Sequence, residues 1–108
     1  MTALRILMIG FLLGGVAVQT AHAQNDNKIG EELLTRHCAR CHAVGRTGAS
    51  PTAAAPVLRT LSQRYPIDSL EEALGEGLMS GHPEMPEFEF DADQVGAIID
   101  YLKSIQQR

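Results

Sequence analysis

Only two cysteines occur in this chain of 108 residues. That excludes a scaffold stapled by several disulfides and a four-cysteine zinc site. Basic residues are also in short supply: Lys and Arg number 9 against 13 Asp and Glu, a formal net charge of −4. An acidic balance is the wrong sign for binding nucleic-acid phosphates. No convincing strand with the period-two alternation of a half-buried sheet appears. The βαβ context of a thioredoxin-like dithiol is therefore missing as well. No repeat, low-complexity block or linker divides residues 24–108, so they are expected to form one domain. Nucleophile–base patterns and phosphate-binding loops are absent from the sequence too.

The first 23 residues have the layout of a targeting segment. Arg5 is their one basic residue, and residues 6–18 form an apolar run interrupted only by glycines. At about thirteen residues the run is short for a membrane span, which needs about twenty. It closes on Ala21-His22-Ala23, a small-x-small pattern, and polar Gln24-Asn25-Asp26 follows. This is the organisation of a secretory signal peptide. Residues 1–23 are thus expected to be removed after Ala23, leaving residues 24–108 as an exported, periplasmic domain with no membrane span.

Cys38-Ala39-Arg40-Cys41-His42 carries the chemistry. On one turn of helix, positions i, i+3 and i+4 share a face. Two thiols so placed can reach the two vinyl groups on one porphyrin edge, with the imidazole aimed at the iron. Cys-x-x-Cys-His reads as a covalent haem attachment site. A disulfide between Cys38 and Cys41 would close almost no loop and add little through chain entropy. A covalently held apolar macrocycle, by contrast, supplies the staple that a small domain with a thin core needs.

The remaining pattern is helical. A first helix is expected over 27–41, with Ile29, Leu33 and Leu34 on its apolar stripe. Residues 44–56, rich in Gly, Ala, Ser, Thr and Pro, read as loop, and a short turn is expected over 57–63. Asp68-Ser69-Leu70-Glu71 resembles a capping box opening a helix through Leu70, Ala73, Leu74 and Leu78, which Gly77 and the break at 80–83 end. A loop over 81–90 precedes a second capping box, Asp91-Ala92-Asp93-Gln94. Val95, Ile98, Ile99, Leu102 and Ile105 then give the last helix a strong amphipathic face. The fold class is all-α, with three to four short helices.

His42 fills one axial position of a haem iron, and the opposite position has four candidates: Met79, Met85, His37 and His82. Met85 is favoured, because Pro83-Glu84-Met85-Pro86 restricts the backbone and can hold a thioether at low entropic cost. Met79 follows the apolar spacing of the preceding helix, as a core methionine would. His82 is the alternative in the same loop. His37, one residue before Cys38, is expected to diverge from the iron and stay partly exposed.

These residues together resemble the class I cytochrome c family, in particular its small bacterial single-haem members. The resemblance covers residues 27–106. It rests on Cys38-Ala39-Arg40-Cys41-His42, Ala55-Pro56-Val57-Leu58, Met85-Pro86 and Ile99-Asp100-Tyr101-Leu102-Lys103. It implies a cytochrome c fold wrapped around one haem c held through Cys38 and Cys41, with first and last helices crossing closely at Gly30. Gly96 and Ala97 are the small residues on the last helix, Ile98 and Tyr101 the packing partners. Valine at position 30 is expected to overpack this contact, whereas alanine, which adds helix propensity and only one methyl group, is expected to be tolerated. Pro56, with Pro51 as the alternative, resembles the proline whose carbonyl accepts a hydrogen bond from the ligand histidine, a bond that orients the ring. Arg59, Arg64 and Tyr65 stand where family members often meet the haem propionates. Glu71, Glu72, Glu76, Glu84, Glu87 and Glu89 read as a solvated face.

With His42 and Met85 as ligands no position on the iron is left for a substrate. The resemblance then implies a monomeric, non-enzymatic electron carrier that meets redox donors and acceptors through an exposed haem edge. The alternatives are a haem protein whose labile sixth ligand permits peroxidase activity or gas sensing, and a haem subunit of a larger oxidoreductase complex.

Overall fold

The computed structural model describes residues 17–78 and 81–108. Helix α1 is Ala17–His37, α2 is Leu70–Glu76 and α3 is Ala92–Ile105, with two 3₁₀ turns, Leu58–Gln63 and Ile67–Ser69, between α1 and α2. No β-strand occurs among the described residues. The architecture is the all-α one that the sequence pattern predicts.

The bounds of α1 differ from the expectation at both ends. Among the described residues it extends back to Ala17, upstream of residue 27, and residues 17–26 contain no Pro or Gly to interrupt it. It stops at His37, and residues 38–42 form a separate turn in which the His42 amide donates to the Cys38 carbonyl at 2.9 Å. Leu33 and Leu34 are buried, but Ile29 is 39% exposed and does not belong to the stripe. The reason is the crossing itself. α1 meets α3 at Gly30, and Ile29 lies on the flank of that contact.

α1 against α3 is the principal packing of the fold. At Gly30 the backbones approach so closely that a Cβ would overlap the Ala97 carbonyl oxygen and lie 2.7 Å from the Tyr101 Cβ. Even one methyl group is too large, so the expectation for alanine at this position is corrected. Gly96 plays no part in the contact. It is exposed, with nothing within 4 Å of where its Cβ would stand. Ala97 and Tyr101, one turn apart, form the α3 side.

Helix α3 begins with the expected capping box: the Gln94 amide donates to Asp91 Oδ1 at 2.8 Å, and the Asp91 amide to Gln94 Oε1 at 3.1 Å. Its apolar face is fully used, with Ile98 and Ile105 essentially sealed from solvent. Burying a side chain of this size stabilises by about 1.5–3 kcal/mol. These residues join Leu33, Leu34, Leu58, Leu61, Ile67 and Leu74 in one core.

The capping box expected at Asp68 does not form. Asp68 lies inside the second 3₁₀ turn and pairs with Lys103 of α3, while Ser69 at the α2 N-cap makes no side-chain cap bond. The 3₁₀ turn already tightens the entry, which leaves the Asp68 carboxylate free for the lysine. Gly77, with φ +113°, ends α2, and the Leu78 amide turns away to donate to the Phe88 carbonyl at 3.1 Å. Met79, read above as a core methionine, lies outside the described residues.

Candidate cofactor site

The hydrogen bonds of residues 38–42 determine where the two thiols and the imidazole point. Cys38 is tied to the end of α1 by its amide, which donates to Leu34 at 2.8 Å, and the Cys41 and His42 amides both fold back onto the Cys38 carbonyl. One tight turn therefore presents all three side chains to one cavity, of about 870 Å³. Cofactor sites commonly enclose about 300–1,000 Å³. Seven leucines, from α1, the first 3₁₀ turn, α2 and its exit, and α3, line it together with Ile98.

His42 Nδ1 lies 2.7 Å from the Pro56 carbonyl oxygen. A carbonyl can only accept, so Nδ1 carries the proton and Nε2 keeps its lone pair. Such a bond fixes both ring orientation and tautomer. The acceptor is Pro56; Pro51 is exposed on the outside of the same loop. That loop is secured along its length. The Ala43 amide donates to Ser50 Oγ at 3.0 Å, the Thr52 amide to the Cys41 carbonyl at 3.1 Å and the Leu58 amide to the Ala43 carbonyl at 3.0 Å. From α3, Tyr101 Oη donates to the Val44 carbonyl at 2.8 Å. Past the helix end, Gln107 Nε2 donates to the Arg46 carbonyl at 3.0 Å. The sequence reading assigned no role to Ser50 or Gln107; a lone polar residue in a loop or tail carries no periodic signal.

The Cys38 thiol is pushed up to about 11, first by burial and then by Cys41 beside it. A thiol so held is protonated at neutral pH, whereas redox-active and metal-binding cysteines are thiolates. Among the described residues no group of three or more His, Cys, Asp or Glu side chains is placed to hold a metal ion. The Cys38 sulfur thus stands as a neutral thiol on the wall of a cavity that Cys41 also lines, which suits a thioether link to an apolar ring.

Met85 and Pro86 line the same cavity, as do His82, Glu84 and His37. Met85 is half-buried, and its amide donates to the His82 carbonyl at 3.1 Å, closing a tight turn around Pro83 and Glu84. His37 is partly exposed, as expected, but it does not diverge from the cavity. Its ring packs edge-on against Phe88 and Phe90. Of the three residues noted for the propionates, Tyr65 lines the cavity, and so does Arg40. Arg59 and Arg64 are not on its wall. Arg59, next to the wall residue Leu58, has a buried Nη1 without a hydrogen-bond partner among the described residues. All six glutamates of the predicted solvated face are exposed.

A Cys-x-x-Cys-His turn opening onto a leucine-lined cavity, beneath a close crossing of first and last helices, defines a c-type cytochrome. The chain belongs to the cytochrome c family, as the comparisons with known proteins establish: the model of the family described as Cytochrome c matches residues 28–106. A curated relative, cytochrome c-552 of Bradyrhizobium diazoefficiens, is 32% identical over 77 residues, covering 71% of this chain and 72% of the relative. No solved structure matches this chain with significance. Its cofactor is haem c, attached through Cys38 and Cys41, and its functional class is that of a haem c electron carrier.

Proposed function

We propose that this protein is an exported, monomeric single-electron shuttle whose iron is held between His42 Nε2 and Met85 Sδ. When bound, haem supplies a one-electron iron couple, and a methionine ligand raises its potential relative to other axial choices. The protein's part is to position and to insulate. Pro56 holds the imidazole in the tautomer that leaves Nε2 free, and the leucine walls keep water from the buried face of the ring. With His42 and Met85 as the residues that would hold the iron, no position on it would be left for a substrate.

The observation that carries this reading is that Met85 lines the same cavity as His42, in a turn braced by Pro83 and Pro86. Proline on both sides narrows the conformations open to the unliganded loop and lowers the entropy lost on ligation. Tyr65, which lines the cavity, is proposed to serve the propionate edge. Residues 1–23 are proposed to direct export and to be cleaved after Ala23. No helix among the described residues is long and apolar enough to cross a membrane. Redox donors and acceptors would meet the protein at the open side of the cavity.

The sixth ligand is tested by the weak near-infrared sulfur-to-iron band of the oxidised holoprotein. Wild type and Met79→Leu are expected to show it. Met85→Ala is expected to lose it, drop in potential and bind cyanide or carbon monoxide. Retention of the band in Met85→Ala, with loss in Met79→Leu or a dependence on His82, would reassign the ligand. A high-spin wild-type spectrum would favour a labile sixth site and the peroxidase or gas-sensing alternative. N-terminal sequencing of the exported protein should begin at Gln24, and co-purification from membranes distinguishes a free shuttle from a complex subunit.

A further inference from the structure

We infer that His37 is a positioning residue: its ring latches the loop that carries Met85 onto the haem-attachment turn, and so sets how long Met85 stays on the iron. This rests on the Met85 reading above. His37 is the last residue of α1, directly before Cys38, and it lines the cavity together with Phe88. Its ring centroid is 5.5 Å from that of Phe88 at 63°, and 5.4 Å from that of Phe90 at 76°. Phe88 and Phe90 stack on each other at 6.3 Å and 24°. Both His37 contacts have the edge-to-face geometry that aromatic pairs prefer.

The phenylalanines sit on the return limb of the loop, Phe90 in the core and Phe88 packed against it. The Phe88 carbonyl accepts from the Leu78 amide at 3.1 Å, and the Phe90 amide donates to the Leu74 carbonyl at 2.9 Å. These backbone bonds tie the limb to α2 and its exit. The His37 ring ties the same limb to α1. Met85 lies three residues before Phe88, so freedom gained at Phe88 passes to the thioether with little chain between to absorb it. Histidine here is neither an iron ligand nor a solvated surface group. It contributes a flat ring, with its edge set against both phenylalanines, at the one position where α1 hands over to the haem turn.

The experiment compares wild-type, His37→Ala and His37→Phe holoproteins by two readouts. Amide hydrogen exchange at Leu78 and Phe90 reads the loop directly and does not depend on what ligates the iron. The near-infrared band and the rate of cyanide binding read the ligand. His37→Ala is expected to speed exchange at both amides and cyanide binding by about tenfold, the scale of losing two ring contacts. His37→Phe, which keeps a ring, should restore both. Should the alanine variant yield no holoprotein, His37→Leu provides the comparison, with similar bulk and no ring. Wild-type exchange and cyanide rates in the ringless variant overturn the latch. A wild-type protein without the sulfur-to-iron band, in which His37→Ala still speeds exchange, overturns the Met85 reading and leaves the latch standing.

Discussion

His42 and Pro56, fourteen residues apart, are joined by a hydrogen bond of 2.7 Å from the ring Nδ1 to the backbone carbonyl. The acceptor belongs to the main chain, so the proline ring matters only through the direction it gives that carbonyl. Pro56→Ala should therefore keep the bond. Its cost is expected to be about 0.4–1 kcal/mol, the entropy that proline removes from the unfolded chain. Melting of the holoprotein gives the cost, and the ring N–H resonance of His42 reports the bond. Disappearance of that resonance in Pro56→Ala would show that the fixed φ, and not the carbonyl alone, orients the ligand.

Tyr101 serves two ends of the fold at once. Its Cβ bears on Gly30 at the helix crossing, and its hydroxyl donates to the Val44 carbonyl two residues beyond His42. Tyr101→Phe should cost about 0.5–1.5 kcal/mol at neutral pH through the lost hydrogen bond. Burial, helped by the Glu31 charge and opposed by Arg46, also raises the Tyr101 hydroxyl above its usual 10.0. A phenol with a raised folded-state pKa holds its proton more tightly when folded. Its contribution is complete below about pH 10 and is lost as the pH rises through the folded value. Wild-type stability should accordingly fall in that alkaline window, and Tyr101→Phe should fall less. Denaturant melts from pH 8 to 11 check both parts.

Local rules found most of this fold. Asp91 and Gln94 form the capping box that their spacing implies, and all the residues of the predicted α3 face are buried, joined by Ala97 and Tyr101 at the crossing. The motif at 38–42 was legible because the chemistry of two thiols and an imidazole depends only on positions within one turn. What escaped was whatever depends on a second element. Ile29 has the right spacing for the α1 stripe, yet the crossing falls beside it. Asp68 has the right spacing for a cap, yet Lys103 of α3 takes its carboxylate. The resemblance placed the crossing at Gly30, but only the packed structure shows that Gly96 takes no part in it. The His37 ring, read as a partly exposed polar residue, finds two aromatic partners some fifty residues away.

The residues after α3 hold the first 3₁₀ turn in place. Gln106 Oε1 accepts from the Ser62 amide at 2.9 Å, while its Nε2 donates to the Leu58 and Leu102 carbonyls at 2.9 and 2.8 Å. The Gln107 amide adds a bond to the Arg59 carbonyl at 2.7 Å. Gln106→Ala is expected to cost about 1–3 kcal/mol, because backbone groups of the turn lose their partner. The Ser62 amide should exchange faster in the variant, with little change in the optical spectrum of the haem. A changed spectrum would mean that the turn, through Leu58 and Leu61 on the cavity wall, shapes the cofactor site more than it braces the fold.

Two glycines on the two crossing helices make a matched test of the crossing. Gly30 is buried, and any Cβ there meets the Ala97 backbone, which cannot rotate aside as a side chain would. Gly30→Ala is therefore expected to destabilise by about 1–3 kcal/mol, with overpacking outweighing the helix propensity alanine adds. Gly30→Val should be worse. Gly96 stands in open space on the outer side of α3, so Gly96→Ala collects the propensity gain alone and should stabilise by up to about 1 kcal/mol. Both changes lie away from the iron ligands, so the potential of the folded protein should move little in either. Paired thermal melts and redox titrations give opposite signs for the two alanine substitutions if α1 and α3 cross where Gly30 and Ala97 touch. Equal, small shifts at both positions would place the crossing elsewhere and remove the steric reason for glycine at position 30.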